Sequence, residues 1–205
     1  MMKMKKRKET NYKMRNLKKQ VRSLGKLQTR DDSTDDEMKI AGYFVVFNTE
    51  TEIWDGLFEE ISNKAFENID LSDIRALADH DTAKVLGRTK SKTLTLKVDE
   101  KGLFGEITIN PDDTEAVNLY QRVKRGDIDQ CSFGFSILNE TMEQREDGSV
   151  KWTITEIELF EVSVVTFPAY SDTAVEARSN QIEQLQKRNL KTRKQQLKER
   201  INKWH

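Results

Sequence analysis

Gln130-Cys131-Ser132-Phe133-Gly134-Phe135-Ser136-Ile137 has two unlike faces when read with the two-residue period of an extended chain. Cys131, Phe133, Phe135 and Ile137 form an apolar side suited to a core, while Ser132, Gly134 and Ser136 leave the other side nearly bare. A bare strip lets another chain or side chain come close to a serine, which a packed face would not. Working outward, Thr93-Leu94-Thr95-Leu96-Lys97-Val98 alternates in the same way, turns at Asp99-Glu100-Lys101-Gly102 and returns through Leu103 to Ile109 as a hairpin. Lys39 to Phe47 is rich in β-branched and aromatic residues and reads as a strand buried on both faces. Val150 to Phe167 supplies one or two further strands ending at Pro168. Helical signals are few. Ser62 can cap a short helix through Phe66 and Ile69. Pro111-Asp112-Asp113 opens a helix with the stripe Ala116, Val117, Tyr120 and Val123, which stops at Gly126 behind Lys124-Arg125. The fold class is therefore mainly β with flanking helices (α+β).

The chain of 205 residues is long enough for one well-buried domain plus appendages. Its charge totals cancel, but by segment. Residues 1–30 hold twelve Lys/Arg against one acidic residue and residues 173–205 hold nine against three, which leaves 31–172 with fourteen basic and thirty-one acidic residues, a net of −17. Three regions follow. Residues 1–37 form a basic and then acidic flexible arm, 38–172 the folded domain, and 173–205 a basic helical tail in which no heptad persists. A single cysteine excludes an internal disulfide, and two histidines, one of them the last residue, are too few for a His/Cys metal site. No cofactor motif is present, since the glycine patterns of phosphate loops and dinucleotide folds are missing. The N-terminal lysines precede no apolar segment, and no apolar run approaches a membrane span, so a soluble protein that is not exported is expected. An acidic body repels phosphates, so nucleic acid is not the expected partner.

Candidate chemistry is sparse. Ile74 to His80 reads as a strand in which Ile74, Ala76, Ala78 and His80 share a face, with His80 at its end. Taken alone, His80 has the bland reading of a hydrogen-bonded structural histidine. Ser132 is useful as a nucleophile only beside a base that takes its proton and a third group that orients the base. Glu161 is the candidate third group. Periodicity puts it with Ile157, Leu159 and Val165, and a carboxylate among such neighbours needs a cation or donor. Glu158 shares an equally apolar face with Phe160, Val162 and Val164, so periodicity does not separate the two. Cys131 is a possible alternative nucleophile, but its alternation partners place it in the core. Ser132 lacks the glycine two residues before it that a Gly-Xaa-Ser-Xaa-Gly elbow requires, which argues against an α/β-hydrolase.

Assembled in order, several segments resemble the prohead (capsid maturation) serine protease family of tailed phages and prophages. They are Gly42-Tyr43-Phe44-Val45-Val46-Phe47-Asn48, Ala78-Asp79-His80-Asp81 followed by Leu86-Gly87-Arg88-Thr89, Asp99-Glu100-Lys101-Gly102-Leu103, Arg125-Gly126-Asp127-Ile128 leading into Ser132-Phe133-Gly134-Phe135, and Glu161-Val162-Ser163-Val164-Val165 with Pro168-Ala169. The resemblance spans roughly residues 39–176. It departs from the family at Lys64, where a glycine often precedes the small residue present here as Ala65. It implies a compact β-barrel of the herpesvirus assembly protease type, with His80 as general base, Ser132 as nucleophile and an acidic third member, for which the Glu-Val-Ser reading favours Glu161 over Glu158. It also implies action in the host cytoplasm inside the assembling prohead, on scaffold and major capsid protein and on the chain itself. The rival reading is a capsid or scaffold accessory protein that keeps the fold without hydrolysing anything.

Overall fold

Asp147 accepts hydrogen bonds from the Ser149 N–H (2.9 Å) and hydroxyl (2.7 Å), and the turn so fixed folds the two longest strands of the chain against each other. The computed structural model describes residues 10–12, 20–30 and 37–167, together with Lys187, Lys191 and Lys194, which are helical. The elements are β1 (Thr10–Tyr12), β2 (Gln20–Arg30), β3 (Lys39–Val46), β4 (Thr51–Trp54), β5 (Leu57–Ile61), a 3₁₀ turn (Asn63–Phe66), β6 (Arg75–Ala78), β7 (Asp81–Arg88), β8 (Leu94–Val98), β9 (Gly102–Thr108), α1 (Thr114–Arg125), β10 (Gln130–Gln144) and β11 (Val150–Val165). By contacts the chain divides into Met1–Tyr170 and Ser171–His205, and every strand lies in the first unit.

The sheet is mixed and runs β4-β5-β11-β10-β2-β3-β9-β8, with β1 on β10, β6 on β11 and β7 on β6. β11 is parallel to both β5 and β6, which occupy successive stretches of one edge, Val150–Ile154 and Glu161–Val164. Its other edge is antiparallel to β10. The core joins Phe44, Val45, Leu103 and Ile107 of β3 and β9 to Cys131, Phe133 and Phe135 of β10 and Ile157, Leu159, Val162 and Val164 of β11. Phe133 and Phe135, two residues apart on one face, stack at 4.7 Å. Helix α1 covers the core with Ala116, Leu119, Tyr120 and Val123. Asp113 caps it by accepting from the N–H groups of Glu115 and Ala116, and Gly126 ends it at φ 87°, a left-handed conformation open to glycine.

The expected closed barrel of the herpesvirus protease type is not what the ladders form. Among the described residues β7 and β8 share no ladder. They meet only at their connecting turn, where Thr93 N–H donates to Arg88 O at 3.2 Å. The reason lies in β7, where Thr82–Val85 are exposed and only Leu86 and Gly87 are buried, so most of that strand cannot serve as an interior stave.

A second correction concerns the N-terminal arm, read as flexible over 1–37. Gln20–Arg30 is instead a strand of the sheet, antiparallel to β10 on one side and β3 on the other, and Thr10–Tyr12 pairs with β10. Its polar composition hides this because main-chain bonds hold it and Arg22 is buried in an ion pair. Arg22 donates to Glu59 through Nε, and through Nη2 at 2.9 Å, with both side chains under 5% exposed. Gly25 fits here because a Cβ would stand 1.6 Å from Tyr43 O. Residues 1–9, 13–19 and 31–36 of that arm, the strand end expected at Pro168, and the tail expected over 173–205 apart from its three helical positions lie outside the described residues.

Removing one partner of a buried pair leaves the other charge without it, a strongly destabilising change. Arg22→Met is expected to lower stability by about 3 kcal/mol, read as a lower urea midpoint at unchanged slope. An unchanged midpoint would show that the pair adds nothing.

Candidate active site

β6 and β7 are connected by only two residues, because Ala78 pairs with Asp81. Two-residue hairpin loops fit the strand twist when their central residues take positive φ. Asp79 (φ 48°) and His80 (φ 60°) do so, and Asp and His are among the side chains that tolerate this region. His80 therefore does not continue the alternation of Ile74, Ala76 and Ala78 as expected: the strand ends at Ala78, and the imidazole leaves the turn on its own trajectory. The turn is tied to the end of β11 at several points. Asp79 N–H donates to Val164 O at 2.9 Å. Its carboxylate accepts from Thr166 N–H at 2.7 Å and from the Thr166 hydroxyl at 3.3 Å.

Glu161 reaches His80 through a change of face in β11. Phe135 is opposite Leu159 and Gly134 is opposite Glu161, so Phe160 is an extra residue in β11. Before the bulge Ile157 and Leu159 point into the core; after it Val162 and Val164 do, and Glu161 and Ser163 point the other way. Uninterrupted alternation had put Glu161 with Ile157 and Leu159, and the bulge is the physical reason it is not there. Glu161 is 2% exposed, and one oxygen lies 2.8 Å from His80 Nδ1 while the other accepts from the Ser163 hydroxyl at 2.6 Å. Glu158, the local competitor, is exposed.

Ser132 lies on β10 directly opposite Ser163, on the face that carries Gly134 and Glu161. Its side chain is fully buried, and its hydroxyl donates to Arg22 O at 2.7 Å. That carbonyl is presented by a second bulge. Cys131 pairs with Gly25 and Phe133 with Arg22, so β2 has one residue more than β10 across from Ser132. His80 Nε2 is buried and has no hydrogen-bond partner among the described residues. The structure thus joins His80 to Glu161 and puts Ser132 on the adjoining strand, with no hydrogen bond between Ser132 and His80. Catalytic hydrogen bonds are often long or unformed without substrate.

Sequence reasoning missed Asp79, Ser163, Thr166 and the main chain of Arg22. The first had a signal, an Asp-His dipeptide between two strand-like runs; Ser163 is two residues from Glu161 and so on its face. The Arg22 contact follows from a bulge with no local signature.

An imidazole oriented by a carboxylate, with a serine on the adjoining strand, supplies the residue types of a serine peptidase centre without the serine–imidazole bond. The chain belongs to the caudovirus prohead serine protease family, whose model matches residues 25–188. Among solved structures the bacteriophage T4 capsid assembly protease aligns with 12% identity and a TM-score of 0.48, over 73% of this chain and 98% of that one. No curated protein matches the sequence.

Cys131, next to Ser132, is a poor nucleophile. Its thiol is fully buried in the core, contacts Tyr43 O at 3.1 Å, and is pushed up to about 12 by burial, so it stays protonated at neutral pH. The native chain is expected to leave a thiol reagent unreacted at pH 8 and to release one thiol per chain on unfolding. Rapid reaction of the folded protein would contradict the buried, protonated state.

Proposed function

We propose that this chain is a serine endopeptidase that cleaves scaffold and major capsid protein, and itself, during prohead maturation inside the host cell. The observation that carries the reading is the 2.8 Å contact of His80 Nδ1 with the buried Glu161, one strand from Ser132, in a chain of this family. The reaction is acyl transfer. Ser132 Oγ attacks the scissile carbonyl while His80 Nε2 takes the hydroxyl proton, and Glu161 holds the ring and stabilises its charged form. The protonated imidazole then gives its proton to the leaving amine, and water, activated by the same nitrogen, releases the acyl group. To begin, Ser132 turns its hydroxyl from Arg22 O toward Nε2, which has no competing partner among the described residues.

The folded domain of this reading is 38–172 joined by β2, and the basic segments before β2 and after residue 172 direct the chain into the shell or hold it inactive until self-cleavage removes them. The charge segregation between an acidic body and basic ends supports this. A second reading, an accessory protein retaining the fold, draws on the buried Ser132 and the unformed bond to His80.

Intact mass followed over time separates the two. The wild type is expected to shorten and Ser132→Ala to stay at full length, since loss of the nucleophile lowers turnover by about 10⁶. His80→Ala should match it, with the double variant no worse, as for residues that act as a unit. If the wild type also stays intact when mixed with its assembling capsid proteins, the accessory reading takes over.

A further inference from the structure

We propose that Ser163 is a positioning residue of this centre: its hydroxyl fixes the second oxygen of Glu161 so that the first faces His80 Nδ1. The inference rests on the peptidase reading above for its catalytic consequence, and on geometry alone for its structural part.

Ser163 is fully buried, and its hydroxyl donates to Glu161 Oε2 at 2.6 Å, within the range of short, charge-assisted bonds. A glutamate carboxylate turns easily about its last torsion, which has broad, roughly two-fold preferences. A donor on Oε2 restricts that freedom and so helps to hold Oε1 where the ring nitrogen needs it, at 2.8 Å. The bulge at Phe160 turns the pair away from the core and toward His80. Beyond it Glu161 and Ser163 are two residues apart on one extended strand, so their side chains share a face. Ser163 also stands opposite Ser132 in the β10–β11 ladder, so one residue both supports the carboxylate and neighbours the proposed nucleophile. With its proton directed at Glu161, Ser163 Oγ is not disposed to act as nucleophile itself.

The test uses the full-length chain and the fact that it has only two histidines, His80 and His205. With histidine labelled by ¹⁵N in a Ser132→Ala background, which prevents self-cleavage, the Nδ1 proton of His80 is observed by NMR. Ser163→Ala is expected to shift this resonance and speed its exchange with water, and Ser163→Thr, which keeps the hydroxyl, to restore it. With Ser132 intact, Ser163→Ala should lower the rate of self-cleavage roughly 10–100-fold, the range seen when the partner that orients a metal-bound histidine or carboxylate is lost, and Ser163→Thr should recover most of it. A resonance unmoved in folded Ser163→Ala, or moved with cleavage at the wild-type rate, overturns the proposal. Should Ser163→Ala fail to fold, Ser163→Cys, with similar volume and a weaker donor, takes its place under the same criteria. Failure of the peptidase reading shows separately, as cleavage that persists in Ser132→Ala, and leaves the NMR comparison intact.

Discussion

A carboxylate at 2% exposure cannot be left to solvent, and the surroundings of Glu161 are organised by that constraint. Its partners include the imidazole of His80 and the hydroxyl of Ser163. The imidazole would not meet it if β11 kept strict alternation, because Glu161, together with Ser163 two residues on, would then point with Ile157 and Leu159 into the core. One extra residue, Phe160, re-aims the rest of the strand. A bulge in this position does what bulges do beside functional sites: it changes the direction of a side chain without ending the ladder.

The ladder order does the rest. β6, β11 and β10 are neighbours, so groups far apart in sequence come together, His80 from the turn that ends β6 and Glu161 and Ser132 from the two strands beside it. β6 is short and ends in a turn whose two residues both have positive φ, a conformation that costs about 1–3 kcal/mol per non-glycine residue. It persists because the end of β11 holds it through the Asp79 amide, the Asp79 carboxylate and His80 itself. The strain and the carboxylate are thus linked. The strand that carries Glu161 also fixes the backbone that delivers the imidazole.

Much of this was readable in the residues, and the parts that were not share a cause. The β8–β9 hairpin, the cap and stop of α1, and the apolar row Cys131, Phe133, Phe135 and Ile137 are local patterns, and each formed where periodicity put it. The strand expected over Lys39–Phe47 did so as well. Misplaced features were those set by pairing between distant segments. β2 lacks an apolar alternation because its stability comes from two neighbouring strands and from Glu59 on β5. Its inclusion in the sheet could not be inferred from residues 20–30 alone. The face of Glu161 was misjudged because a bulge is a mismatch between two strands, and one strand's sequence does not record it. The expected barrel closure failed on β7, whose four exposed residues look, as sequence, like any short polar strand.

The resting bond of Ser132 ties these features to the proposed reaction. A serine hydroxyl has one proton to donate, so a bond to Arg22 O excludes one to His80 Nε2 at the same time. The carbonyl competes because β2 is bulged there, with two residues spanning the space of one. The acceptor of the resting bond is therefore supplied by β2 and not by β10 or β11. β2 belongs to the basic N-terminal region, and the Arg22 whose carbonyl holds the serine is the same residue whose side chain anchors that strand to Glu59.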